Sequence, residues 1–212
     1  MEELTLASFV KMEEEICDTV ISQQEYLCKL DSYVGDGDHG VTAARGFRAV
    51  REMLHTQEHK TIAQVLSRSA ELLMQTMGGA IGPIFGSIFS GMADVAEGKN
   101  VLVCSDICAM LRCGLDQAQL TGGAKEGDRT LIDALSPAVR QLEQDVQKGE
   151  TLPAALKNAS QAADQGVENT KQMTARKGRA KFLGEKSKGY QDAGATTLSI
   201  VLRAMVDYCA KS

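Results

Sequence analysis

The chain has no tryptophan, only three prolines among 212 residues, and an aromatic content of 4%. So few strand formers, set against abundant Ala, Leu, Met, Gln, Glu and Lys, exclude a β-rich architecture and favour helix almost throughout. Cationic excess is also missing. At a formal charge of -5 the chain is a poor match for a duplex-binding surface, so no nucleic acid is expected as a partner. No apolar run reaches the length of a membrane span, and the acidic N-terminal stretch has neither the basic nor the apolar segment of a secretion signal; a cytoplasmic protein without membrane contact is expected. Six cysteines contain no C-x-x-C pair and read as small buried thiols in a reducing compartment. Cys104 and Cys108 share a helical face, but no second ligand pair follows them.

What is present is helical periodicity. Phe9, Met12, Ile16, Val20, Gln23, Leu27 and Leu30 recur at three and four residues and predict a first amphipathic helix from Thr5 to Leu30. Further helices are predicted over Thr42–Leu54, Ile62–Thr76, Gly82–Ala96, Ser105–Leu120 with Ser105 as N-cap, Thr130–Lys148, Leu152–Thr174 and Ala195–Cys209. That makes eight helices and no strand. At 43% hydrophobic residues, with no internal linker composition, residues 1–212 are read as a single domain. One long irregular segment, Ala175 to Gly194, stands out, because loops of that length inside compact domains are usually functional.

Chemistry concentrates where the first helix stops. Asp31, Asp36 and Asp38 lie within eight residues, the last two separated only by Gly37. Ionised carboxylates at contact distance repel by about 4 kcal/mol per pair at an effective dielectric near 20. The negative end of a helix dipole offers Asp31 no relief. A hard cation with oxygen ligands, magnesium above all, resolves the conflict.

Three competing motifs fail. Gly35, Gly37 and Gly40 match G-x-G-x-x-G, but a helix precedes them and aspartates occupy the intervening positions. Read as a calcium loop from Asp36, the run has Gly40 at the fifth position and Phe47 at the twelfth, where ligands are required. Gly122 to Gly127 has P-loop glycine spacing, yet Asp128-Arg129 follows where Lys-Ser/Thr is needed. A second cluster has opposite sign: Arg176 to Lys188 carries six basic residues in thirteen, interleaved with glycine. Read alone it could be a solvated loop. Opposite a metal site, it suits a nucleotide polyphosphate, with metal on some oxygens and arginine on others.

Four stretches together resemble a known family. DSYVGDGDHGVTAARG from Asp31, GGAIGPIFG from Gly78, GGAKEGDRT from Gly122 and ARKGRAKFLGEKSKGYQDAGATT from Ala175 are similar, in order and spacing, to the nucleotide-binding subunit of bacterial dihydroxyacetone kinases. The resemblance implies an all-α barrel of eight antiparallel helices with the nucleotide site at one end. It implies that Asp31, Asp36 and Asp38 hold two magnesium ions under ADP or ATP. Nucleotide contacts are implied for His39, Gly40, Val41, Thr42, Ala80, Ile81, Gly122, Leu131, Arg179, Asp192, Ala193 and Gly194, with Arg179 as the catalytic candidate that stabilises the transferred phosphoryl group.

In that family the nucleotide stays bound, receives phosphate from a phosphotransferase-system subunit, and serves a separate subunit that binds dihydroxyacetone. The expected role is thus a phosphotransferase subunit, active only with those partners. An ATP-dependent kinase subunit for another short ketose and a nucleotide-loaded sensor acting on a transcription regulator are the alternatives; a homodimer is left open. Two departures from the family pattern are visible. Ile81 stands where a serine is usual, which removes one hydroxyl, and Tyr190-Gln-Asp-Ala193 replaces His-Gln-Asp-Pro, which is expected to loosen the loop.

Overall fold

The computed structural model describes residues 3–211. Among them are nine α-helices: α1 (Leu6–Ser22), α2 (Gln24–Ser32), α3 (His39–Thr56), α4 (Ile62–Thr76), α5 (Ile81–Ala96), α6 (Cys104–Gly122), α7 (Ile132–Lys148), α8 (Leu152–Thr170) and α9 (Ala193–Lys211). Apart from α2, they form a closed ring: α1 packs on α3, each later helix on the next, and α9 returns to α1. This is the expected all-α barrel of eight antiparallel helices. The ring closes because each helix buries an apolar stripe inward, giving one continuous core from Leu4 to Cys209. Phe47 of α3 and Phe85 of α5 meet edge to face within it, with ring centroids 6.2 Å apart.

Local signals explain most boundaries. Thr61 caps α4, its hydroxyl oxygen accepting from the Gln64 N–H at 3.1 Å, and α4 spans the predicted residues. The predicted first helix, by contrast, is two. The backbone leaves helical geometry at Gln23 (φ -90°, ψ 10°), although the apolar period runs on through Leu27. Periodicity survived the break because α2 buries the same face. Ser105 is not the cap of α6; that helix starts one residue earlier, and the Asp106 carboxylate accepts from the Val103 N–H at 3.0 Å. The chain also contains a two-residue antiparallel pair, β1 (Leu4–Thr5) with β2 (Val101–Leu102), too short to register as alternation. Within the predicted irregular segment, Arg179–Ser187 forms a 3-10 helix broken by Gly184.

Two features of the barrel bear on function. Its lumen holds an apolar cavity of about 40 Å³ beside Glu13, a buried carboxyl whose Oε1 accepts from the Ser69 hydroxyl at 3.0 Å. Because the helices alternate in direction, α3, α5, α7 and α9 all begin at the same rim. Among the described residues no helix is long and apolar enough to cross a membrane.

Candidate functional site

At that rim lies a cavity of about 590 Å³. Its wall is built from the start of each of the four helices, from the loop joining α2 to α3, and from the basic loop after α8. Four helix N-termini turn the positive ends of their dipoles toward this rim, a setting that attracts an anion. The α5 start, Gly79-Ala80, has no side-chain cap competing for its N–H groups.

The three aspartates meet on one side. A carboxylate oxygen from each of Asp31, Asp36 and Asp38 lies within 4.8 Å of the other two. Two oxygens on opposite sides of one magnesium stand about 4.2 Å apart, so the donor set and its spread fit a hard divalent ion. Asp31 is held in place by the turn that follows it. Its Oδ2 accepts from the Gly37 N–H at 2.9 Å, and its carbonyl accepts from Gly35 N–H at 2.6 Å. The turn closes so tightly that a Cβ on Gly35 would lie 2.3 Å from Asp31 Oδ1. Gly37 takes a φ of +75°, which explains glycine there.

His39 opens α3 and is set into the wall, where burial holds its pKa below the usual histidine value. Its Nε2 lies 2.8 Å from Thr197 Oγ1, whose own hydroxyl donates to the Ala193 carbonyl at 3.0 Å. That assigns the imidazole proton to Nε2 and leaves Nδ1 an acceptor. At the start of α9, Asp192 Oδ1 accepts from the Ala195 N–H at 2.8 Å. Desolvation nevertheless pushes the Asp192 pKa up to about 6.

Most residues singled out from the sequence line this one cavity: Asp31, Asp36, Asp38, His39, Thr42, Ala80, Ile81, Gly122, Leu131, Arg179, Asp192, Ala193 and Gly194. Gly40 and Val41 do not. Gly40 lies beneath α2, where a Cβ would come 2.0 Å from the Gln24 carbonyl oxygen, so glycine there permits the α2–α3 crossing. Val41 is 47% exposed and off the cavity wall. The basic loop reaches across as expected, and the Arg179 guanidinium pairs directly with Asp36. Ile81 keeps the expected place in the wall without a hydroxyl.

Sequence reasoning missed Arg129. It is buried, lines the cavity, and adopts a φ of +61° rarely taken by a side-chain-bearing residue. Its Nη2 donates to the Tyr190 carbonyl at 2.9 Å, while Nε and Nη1 are buried without a partner among the described residues. A cation with two unmet N–H groups in the cavity wall is a second fit for an anionic ligand. The signal was Asp128-Arg129-Thr130, which sequence reasoning used to exclude a P-loop and as part of the GGAKEGDRT resemblance, without assigning Arg129 a role. Arg45 and Lys177 also line the site.

The comparisons with known proteins agree. Residues 33–207 match the DAK2 domain. The chain is 37% identical over 188 residues to the PEP-dependent dihydroxyacetone kinase, ADP-binding subunit DhaL, of Escherichia coli, covering 89% of this chain and 90% of that protein. It is 34% identical over 192 residues to L-erythrulose kinase of Pectobacterium atrosepticum, covering 89% of this chain but only 32% of that longer protein. The dihydroxyacetone kinase of C. freundii, in complex with AMP-PNP and Mg2+, superposes with a TM-score of 0.74 at 30% identity, covering 98% of this chain and 35% of that one.

Proposed function

The chain belongs to the DAK2 domain family, and from that premise we propose that it is the ADP/ATP-carrying subunit of a phosphoenolpyruvate-dependent dihydroxyacetone kinase. The observation that carries this reading is the convergence of three clustered carboxylates and four helix N-termini on one 590 Å³ cavity. Carboxylate oxygens for a hard cation beside the positive ends of helix dipoles suit a metal-bound polyphosphate. Residues 1–212 act as one nucleotide-binding unit in this proposal.

Asp31, Asp36 and Asp38 hold two magnesium ions. His39 to Thr42, Ala80, Ile81, Gly122, Leu131, Arg179 and Asp192 to Gly194 bind the nucleotide, Gly40 and Val41 through main-chain groups of the first turn of α3. When bound, the nucleotide supplies a γ-phosphoryl group, replenished by a phosphotransferase-system protein and passed to a ketose on a dihydroxyacetone-binding partner subunit. The chain's own residues position and neutralise. Arg179 places a delocalised charge with bidentate geometry beside Asp36, where negative charge on a transferring phosphoryl group would develop. Arg129 holds the backbone at Tyr190, two residues before Asp192, and so fixes the entry to α9.

A second reading draws on the likeness to L-erythrulose kinase: the same site serving another short ketose with free ATP as donor. Native mass spectrometry separates these readings from their failure. The protein is expected to carry ADP and magnesium. Asp36→Asn is expected to weaken magnesium-dependent nucleotide binding at least tenfold, since even groups that only orient metal ligands are worth that much. Phosphate transfer from phosphoenolpyruvate through the carrier proteins supports the first reading; transfer from free ATP alone supports the second. No nucleotide binding in magnesium would refute both.

A further inference from the structure

Tyr33 and Tyr190 stack with ring centroids 5.0 Å apart and planes 16° from parallel. Tyr33 follows α2, two residues after Asp31; Tyr190 ends the basic loop, two residues before Asp192. Both are surface residues, 48% and 41% exposed, so the stack joins two loops at the mouth of the site and adds nothing to the barrel core. We propose that this pair is a latch that sets how fast nucleotide leaves the site, an inference that rests on the nucleotide-binding reading above.

The basic loop is fastened to the α2–α3 side at three points. Arg179 pairs with Asp36, Tyr190 stacks on Tyr33, and the Gln191 side-chain amide donates to the Tyr26 hydroxyl at 3.1 Å. It is also held from the α6–α7 side, where the Arg176 N–H donates to the Asp128 carbonyl at 3.0 Å, Lys177 Nζ donates to the Gly122 carbonyl at 3.5 Å and Arg129 Nη2 donates to the Tyr190 carbonyl at 2.9 Å, and its remaining contacts run to its own base. The Ser187 hydroxyl donates to the Gly184 carbonyl and accepts from the Ala175 N–H; Gly189 N–H donates to the Lys171 carbonyl. Phe182, near the middle of the loop, is 82% exposed and does not anchor it. Gly178, Gly184 and Gly189 all have positive φ, with open space where a Cβ would stand. Between residues 176 and 186, none of them buried, the segment is thus tied down by a few surface contacts rather than by packing, and Lys177 and Arg179 on it line the cavity.

A ligand between that loop and the aspartates leaves only when the ties release. Of the three, the ion pair is the one that a polyphosphate and metal would compete for, and the amide bond is solvent-exposed. The aromatic stack is uncharged and indifferent to both. It therefore holds the loop while the charged groups exchange partners, and residue 190 fixes the residence time.

The test is stopped-flow release of N-methylanthraniloyl-ADP in magnesium from the full chain, chased with unlabelled ADP. Tyr190→Ala and Tyr33→Ala are expected to release it about 3- to 10-fold faster, matching the strength of one aromatic pair. Tyr190→Phe should keep the wild-type rate, and the double alanine variant should be no faster than either single one. Wild-type rates in both single variants, or effects that multiply in the double variant, would overturn the latch. Hydrogen exchange of the ligand-free protein gives an independent measure. Faster exchange over residues 176–188 in Tyr190→Ala supports the latch, and unchanged exchange overturns it whatever the nucleotide data show. If wild-type protein binds no labelled nucleotide, the nucleotide reading falls, and the exchange result still reports whether the loop is latched.

Discussion

Arg179 pairs with Asp36 across the mouth of the cavity, joining the basic loop to the Asp31–Asp38 acidic cluster. The two side chains are 63% and 40% exposed, so the pair contributes at most about 1 kcal/mol to stability and is readily exchanged for other partners. Its value lies in position. It sets a guanidinium against a carboxylate of the proposed metal site, where a phosphoryl group would be handed on.

Replacement of Arg179 therefore has a kinetic signature. In a reconstituted assay with the ketose-binding subunit, Arg179→Ala is expected to lower kcat by about a thousandfold or more, the scale of an arginine that stabilises phosphoryl-transfer charge. Folding midpoint in urea should stay near wild type, because a surface pair is all that is lost. A kcat within tenfold of wild type would remove Arg179 from the catalytic role.

Gly35 offers a test of the metal site that changes no ligand. In Gly35→Ala the new methyl would sit 2.3 Å from Asp31 Oδ1, and the carboxylate must swing away. Magnesium dependence of ADP binding, followed by titration at several magnesium concentrations, should shift to about tenfold higher metal or more, while nucleotide binding without magnesium changes little. An unchanged magnesium dependence would show that Asp31 is not a ligand.

Glu13 links stability to pH. Burial among apolar residues pushes its pKa up to about 7 from an ordinary 4.5, with the Ser69 hydroxyl only partly offsetting it. Below about pH 4.5 the carboxyl is protonated in both states and costs nothing. Between about 4.5 and 7 the unfolded chain releases the proton while the folded one keeps it, so this contribution falls with rising pH, by about 3 kcal/mol in total, then levels off. Urea unfolding across that range should show Glu13→Gln losing this component and exceeding wild type in stability at pH 8. A variant with the wild-type pH slope would contradict it.

Much of this molecule is legible one segment at a time. The limits of α4 follow from Thr61 and the apolar period after it, and the acidic cluster is close in sequence, so any fold keeps Asp31, Asp36 and Asp38 near one another. The division of the first helix at Gln23 is not legible, because α1 and α2 continue one apolar face around the bend. Nor is the two-residue strand pair, which depends on Leu4 meeting Leu102.

The sequence by itself determined the helical class, the number of barrel helices, the acidic metal-type cluster and the basic loop, because each is a local matter of period, composition or spacing. Only the tertiary structure decided which of those pieces face one another. Closure of the ring brought four helix starts to one rim, buried Arg129 against the Tyr190 carbonyl, placed Glu13 in the apolar lumen and set Tyr190 on Tyr33. Tyr190 shows the division most plainly: its aromatic ring finds a partner more than a hundred residues away in the chain, a contact that no local pattern encodes.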